Sequence, residues 1–190
     1  FVTACSALTG AGLALALHPA WHAWLAGQLM LALAFVQWFV LMHECGHGTL
    51  FRTRVLNLAV GHLAGFIALI PFADPTTASL VPRVLSGPER VLVNTCWRLH
   101  VPLFALLYRS TNFWNPARLA RLFPDARDRW AMALNGTLIA AAGGLVVFVV
   151  GAAELVALLG LALLLGFVAQ ESILLSQHTH MPMRLARAEA

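Results

Sequence analysis

The stretch AWLAGQLMLALAFVQWFVLMHECGHGTLFR, residues 23–52, decides the fold. Its first twenty residues carry no formal charge, about the length an α-helix needs to cross a bilayer. They end at His43-Glu44-Cys45-Gly46-His47, and Arg52 and Arg54 follow at once. A helix that delivers ionisable groups to the edge of the hydrocarbon marks a functional site by default, because such groups are costly there.

The rest of the chain agrees that lipid is the solvent. Of its 190 residues, 60% are hydrophobic and only 11% charged. No Asp, Glu, Lys or Arg occurs from Phe1 to Met42, and Glu154 is the sole charge from Trp130 to Gly160. The expected fold is therefore an all-α polytopic membrane protein, read as one domain over 1–190. Its expected spans are about 1–17, 23–42, 131–151 and 155–175. His18-Pro19 ends the first, and Trp21, His22 and Trp24 suit the membrane interface. The chain opens on Phe1 and is apolar from there, so it reads as a fragment; a signal peptide is disfavoured because no basic segment leads it.

All twelve basic residues are Arg, and ten of them lie between Arg52 and Arg129. They are scattered among apolar residues, which argues against nucleic-acid binding and for membrane topology, with the arginine-rich side cytoplasmic. Residues 56–72, LNLAVGHLAGFIALIPF, form a short apolar helix in which Gly61 and Gly65 permit close helix packing. Residues 74–87 read as loop, and 89–108 as an interfacial helix with snorkelling arginines. The turn from Gly151 to Glu154 is short enough to force a helical hairpin. Four spans then put His43 and His47 on the same side as His178 and His180. Cys5, Cys45 and Cys96 show no disulfide or zinc spacing.

His43 and His47, four apart on a helix, share a face and can grip one metal. The letters H-E-x-x-H admit a zinc protease in which Glu44 activates a metal-bound water. They equally admit one arm of a histidine cage for iron, since neutral imidazole suits either metal. Glu171, two turns before His178, is placed to orient a ligand, as are Glu44 and His180. His18 and His22 belong to the opposite side of the membrane; His62 and His100 stand alone and read as packing histidines.

HECGHGTLFRTRVLNLAVGHLAGF resembles the first histidine box and following helix of the membrane fatty acid desaturases, whose usual form is H-[DE]-C-G-H-G-x-L/F-F. The similarity extends through WRLHVPLFALLYRSTNFWNPARLARLF to LLSQHTHMP. It implies about four transmembrane helices under a cytosolic helical cap, with a di-iron centre ligated by histidines at their boundary. His43, His47 and His178 would be iron ligands, with His180 the less certain choice. It also implies O2-dependent insertion of a double bond into a membrane lipid or other acyl chain, fed by a small electron donor such as a ferredoxin or b-type cytochrome. Removing hydrogen from an unactivated chain needs an oxidant made from O2 and two electrons, so the metal supplies reactivity and the protein orients it.

The departures are specific. The family's second and third boxes are H-x-x-H-H, and no H-x-x-H-H occurs in this sequence. LIPFA runs into DPTTASLVPR where the second box belongs, which suggests a deletion near Ala73-Asp74 and truncation at both ends. With half a cage, the 190-residue chain alone is expected to be inactive. Three other readings stay open: a site-2-type zinc protease, weakened because no Asp-Gly pair is present; a related lipid or carotenoid hydroxylase; and a non-catalytic, degenerate membrane protein. The Arg-only, Ala- and Leu-rich composition suggests a bacterial inner membrane.

Overall fold

The computed structural model describes residues 1–72, 87–99, 114, 115, 117 and 125–178. Among these the chain is wholly helical: α1 (Val2–Ala16), α2 (Trp21–His47), α3 (Arg54–Ile67), α4 (Gly87–Arg98), α5 (Ala126–Val150) and α6 (Ala152–His178). Three of them, α2, α5 and α6, are long and apolar enough to cross a membrane. The protein is thus an all-α polytopic membrane protein. The segment expected as a first span is the 15-residue α1, roughly 22 Å long, short of a hydrocarbon core of about 30 Å. The expected loop at 74–86, the junction at Ala73-Asp74, residues 100–108, His100 and His180 lie outside the described residues.

Helix α2 is the spine, and α1, α3 and α6 all pack on it. Helix α1 runs antiparallel to α2, because Trp38 Nε1 donates to Thr9 Oγ1 while Gly27 sits against Ala16. The approach is close enough that a Cβ on Gly27 would lie 2.4 Å from the Ala16 nitrogen. In lipid, where apolar area alone does not drive helices together, such backbone proximity is the source of packing attraction.

Helix α6 lies parallel to α2. The Trp24 indole donates to Ala157 O at 3.1 Å, and lower down the Phe35 and Phe167 rings meet edge to face at 5.5 Å. Between them the fully buried Gln28 clasps α6: its Nε2 donates to Leu158 O at 2.7 Å, and Ala162 N–H donates to its Oε1 at 2.9 Å. Those two backbone groups are one helical turn apart, the pair an α-helix joins to each other. A side-chain amide in hydrocarbon has no water to turn to, so this pair of hydrogen bonds to α6 gives both its donor and its acceptor a partner.

Gly61 and Gly65 admit close packing, as their spacing suggests, but the visitor is the chain itself. Helix α3 ends at Ala68 in a reversal with Leu69 at φ +57, and Ile70 N–H bonds back to Gly65 O. Phe72 then folds over Gly61, where a Cβ would meet its ring at 2.4 Å. Ile70 and Phe72 thereby join the core that α2 builds with Trp38, Phe39, Leu41 and Met42.

Candidate metal centre at the end of α2

The i, i+4 spacing of Phe39, His43 and His47 lays three rings along one stripe of α2. Phe39 stacks on His43 with ring centroids 6.3 Å apart, and His43 meets His47 edge-on at 4.6 Å. The two Nε2 atoms face each other at 3.2 Å. With neutral rings, one N–H donates into the other's lone pair. Two metal–nitrogen bonds of roughly 2.1 Å to a single ion would leave their nitrogens about 3.0–3.4 Å apart. The imidazoles therefore already stand at the separation one metal requires, and they fit a histidine-bound metal.

The end of α2 is built to hold that geometry. Gly48 takes the left-handed conformation at φ +69, which glycine adopts without steric cost. Gly48 N–H bonds to Cys45 O at 3.1 Å and Thr49 N–H to Glu44 O at 3.2 Å, a Schellman closure of the helix. Thr49 Oγ1 also donates to the Glu44 carboxylate, at 2.5 Å. Glu44 is thus engaged as the brace of its own helix end.

The loop from Gly48 to Thr53 is held from the other side by Asn57, in the first turn of α3 and only 5% exposed. Phe51 N–H donates to Asn57 Oδ1 at 3.0 Å, and Asn57 Nδ2 donates to Phe51 O at 2.8 Å. Thr53 O and Gly48 O lie within reach of the same Nδ2, at 3.2 and 3.5 Å. Sequence reasoning passed over this residue. The available signal was a carboxamide near the start of an otherwise apolar helix.

Where the other candidates fall follows from helix direction. Helices α2 and α6 are parallel, with contacting residues 130 to 134 apart in sequence. The last residue of α6, His178, is therefore at the same end of the bundle as His43 and His47. Glu171 lies on α6 two turns earlier, on that same half of the helix. The placed side chains bring together the His43/His47 pair and no third ligand: among the described residues no group of three His, Cys, Asp or Glu is arranged to hold a metal.

His18 and His22 lie at the opposite end of α2, where His18 Nδ1 accepts from Ala20 N–H and His22 sits edge-on to Trp21. His62 has a partner that the sequence did not suggest. Asn135 of α5 lies with its Nδ2 2.9 Å from His62 Nδ1 and 3.4 Å from Phe72 O, joining α3 to α5. The Phe72 ring meets His62 edge-on at 5.1 Å, and burial pulls the imidazole below its ordinary pKa.

Comparison with known proteins adds one pointer. Over 67 residues the chain is 37% identical to a protein of Sorghum bicolor described as a probable fatty acid desaturase. That match takes in 35% of this chain and spans 17% of the length of the relative. No family model matches the chain, and no solved structure does. The similarity is local, and desaturase-like is the description it supports.

Proposed function

We propose that this chain belongs to an O2-dependent desaturase of fatty acyl chains, and that His43 and His47 are two ligands of its di-iron centre, with His178 contributing from α6. The facing of the two Nε2 atoms at 3.2 Å carries this reading. The local similarity to a probable desaturase supports iron over zinc, and the parallel course of α2 and α6 supports His178. When bound, the metal pair supplies the oxidising power that C–H cleavage needs. The chain's own residues bind, orient and shield: Phe39 closes one side of His43, and the apolar helices below form the medium from which an acyl chain enters. His180 and Glu171 are proposed to orient the His178 side of the centre, and Glu44 to brace the α2 side.

Arg52 in the Gly48–Thr53 loop, Arg54 at the start of α3, and Arg127 and Arg129 at the start of α5 are all at the histidine end of the bundle. Positive charge there supports a cytoplasmic orientation of the histidine end. The Arg-only, Ala- and Leu-rich composition supports a bacterial inner membrane. A small electron donor such as a ferredoxin or b-type cytochrome is proposed to dock on this face. Three histidines are fewer ligands than two irons need, and H-x-x-H-H is absent from the sequence. The 190 residues alone are accordingly proposed to hold iron poorly and to be inactive without further ligands.

Anaerobic reconstitution of the detergent-solubilised chain with Fe2+, followed by metal analysis, tests both parts. Binding that is lost in His43→Ala and His47→Ala but not in His22→Ala supports the ligand assignment. Binding indifferent to His43 and His47 overturns it. Two tightly held irons per chain, or desaturated lipid made by the chain alone, would overturn its proposed inactivity.

A further inference from the structure

We infer that Asn57 is the positioning residue of the histidine pair, acting through the Gly48–Thr53 loop to fix the end of α2; this rests on the reading of His43 and His47 as metal ligands. A side-chain amide that meets the Phe51 backbone amide at both its N–H and its C=O reproduces the two-point pairing of adjacent strands. It does so within a loop of six residues that begins immediately after His47. At the near end of that loop, Gly48 and Thr49 are fastened to Cys45 and Glu44. At the far end, the Asn57 carboxamide reaches Phe51 and Thr53. The Gly48 and Thr49 bonds end on the turn that carries His47, while the Asn57 carboxamide closes the loop at Phe51 and at Thr53, the N-cap of its own helix, and lies 3.5 Å from Gly48 O.

The burial of Asn57 makes the arrangement specific. With donor and acceptor both shielded from water, neither can be exchanged for solvent without cost, so the loop has one satisfied geometry. Leu50 and Phe51 pack against the α2 core alongside Leu58, which ties the same loop to the helix that bears the histidines. The carboxamide donates to the Phe51 carbonyl while accepting from the N–H of the same residue; an ionised Asp keeps the acceptor alone, and Ala keeps neither.

The test uses Cu2+ alone as probe on the full chain in detergent, because copper binds imidazole more tightly than other first-row divalent ions and reports nitrogen ligands in its electron paramagnetic resonance spectrum. Copper binding lost in the His43→Ala, His47→Ala double variant defines the pair's share. Asn57→Ala and Asn57→Asp should each weaken that share roughly tenfold, in line with residues that orient ligands from outside the coordination sphere, and should reduce the nitrogen signature at wild-type helicity. Affinity within about twofold of wild type in a normally helical variant would overturn the inference while leaving the metal reading intact. Loss of helicity in both variants would also overturn it, making Asn57 a residue of the fold at large. A wild-type chain whose copper binding ignores His43 and His47 would instead remove the metal reading, and this inference with it.

Discussion

Phe35 of α2 and Phe167 of α6 meet edge to face at 5.5 Å, and that contact sets a parallel register between two helices far apart in sequence. Its consequence is positional. Helix α2 ends at His47 and α6 at His178, so both histidine-bearing ends emerge from the same side of the bundle. Connecting two parallel helices requires a return through α5, which the hairpin at Gly151 provides. Gly166 makes the register possible, since a Cβ there would meet the Phe35 ring at 2.8 Å. In Gly166→Leu the ring is displaced, and thermal unfolding in detergent should fall well below wild type, by about 1–3 kcal/mol for an overpacked contact.

Gln28→Leu tests the polar clasp higher on the same interface. The substitution removes both bonds to α6 but leaves Leu158 O and Ala162 N–H able to pair with each other, so the loss should be modest. Between helices in membranes such bonds contribute roughly 0.6–1.7 kcal/mol. Chemical unfolding in mixed micelles should show a decrease of that order. An unchanged midpoint would mean the clasp does not contribute to stability.

The Glu44→Gln variant separates the iron and zinc-protease readings. Gln retains an acceptor for the Thr49 hydroxyl, so the end of α2 should keep its form and the histidine pair its metal affinity. A protease that needs the carboxylate as general base would lose its activity entirely. Proteolysis of a membrane substrate by wild type and its abolition in Glu44→Gln would favour zinc.

How far the sequence could be read follows from where each partner lies. Residues 23–42 announce their helix by composition, and the spacing of His43 and His47 places both rings on one face, because these features depend on the helix alone. The roles of Gln28 and Asn57 do not show in that way. Their partners are backbone groups, Leu158 O and Ala162 N–H for one and the Phe51 amide for the other, and a backbone group leaves no mark in the pattern of side chains. Gly61 and Gly65 did signal a close approach, yet glycine spacing cannot say whether the neighbour is another helix or the chain's own return at Phe72. Leu69 in a left-handed turn is opaque for the same reason: the turn is imposed by the burial of Ile70 and Phe72, against the preference of leucine itself.

That last position offers a gain in stability. Leu69 is 42% exposed and sits at φ +57, a conformation that costs a non-glycine residue about 1–2 kcal/mol. Leu69→Gly removes that strain and offsets part of the gain by loosening the unfolded chain and giving up some apolar contact. The net effect should be a rise of up to about 1 kcal/mol, or roughly 2–4 °C in Tm for a chain of this size. A lower Tm would show that the leucine side chain contributes more by contact than the backbone loses by strain.

The pH dependence turns on His62. Its pKa is depressed chiefly by burial, so the folded protein holds it neutral while the unfolded chain protonates near the ordinary value of about 6.5. Over that window the unfolded state binds more protons, and stability must rise with pH. The contribution is fully present above about 6.5 and is lost as pH falls through the folded value. The Asn135 hydrogen bond acts against burial and favours the protonated ring, but burial is the larger effect, so the direction stands. His62→Gln keeps a side-chain partner for Asn135 without the titration. Unfolding midpoints measured from pH 7.5 down to 5 should therefore fall less steeply in His62→Gln than in wild type. Parallel slopes would place the acid sensitivity elsewhere in the molecule.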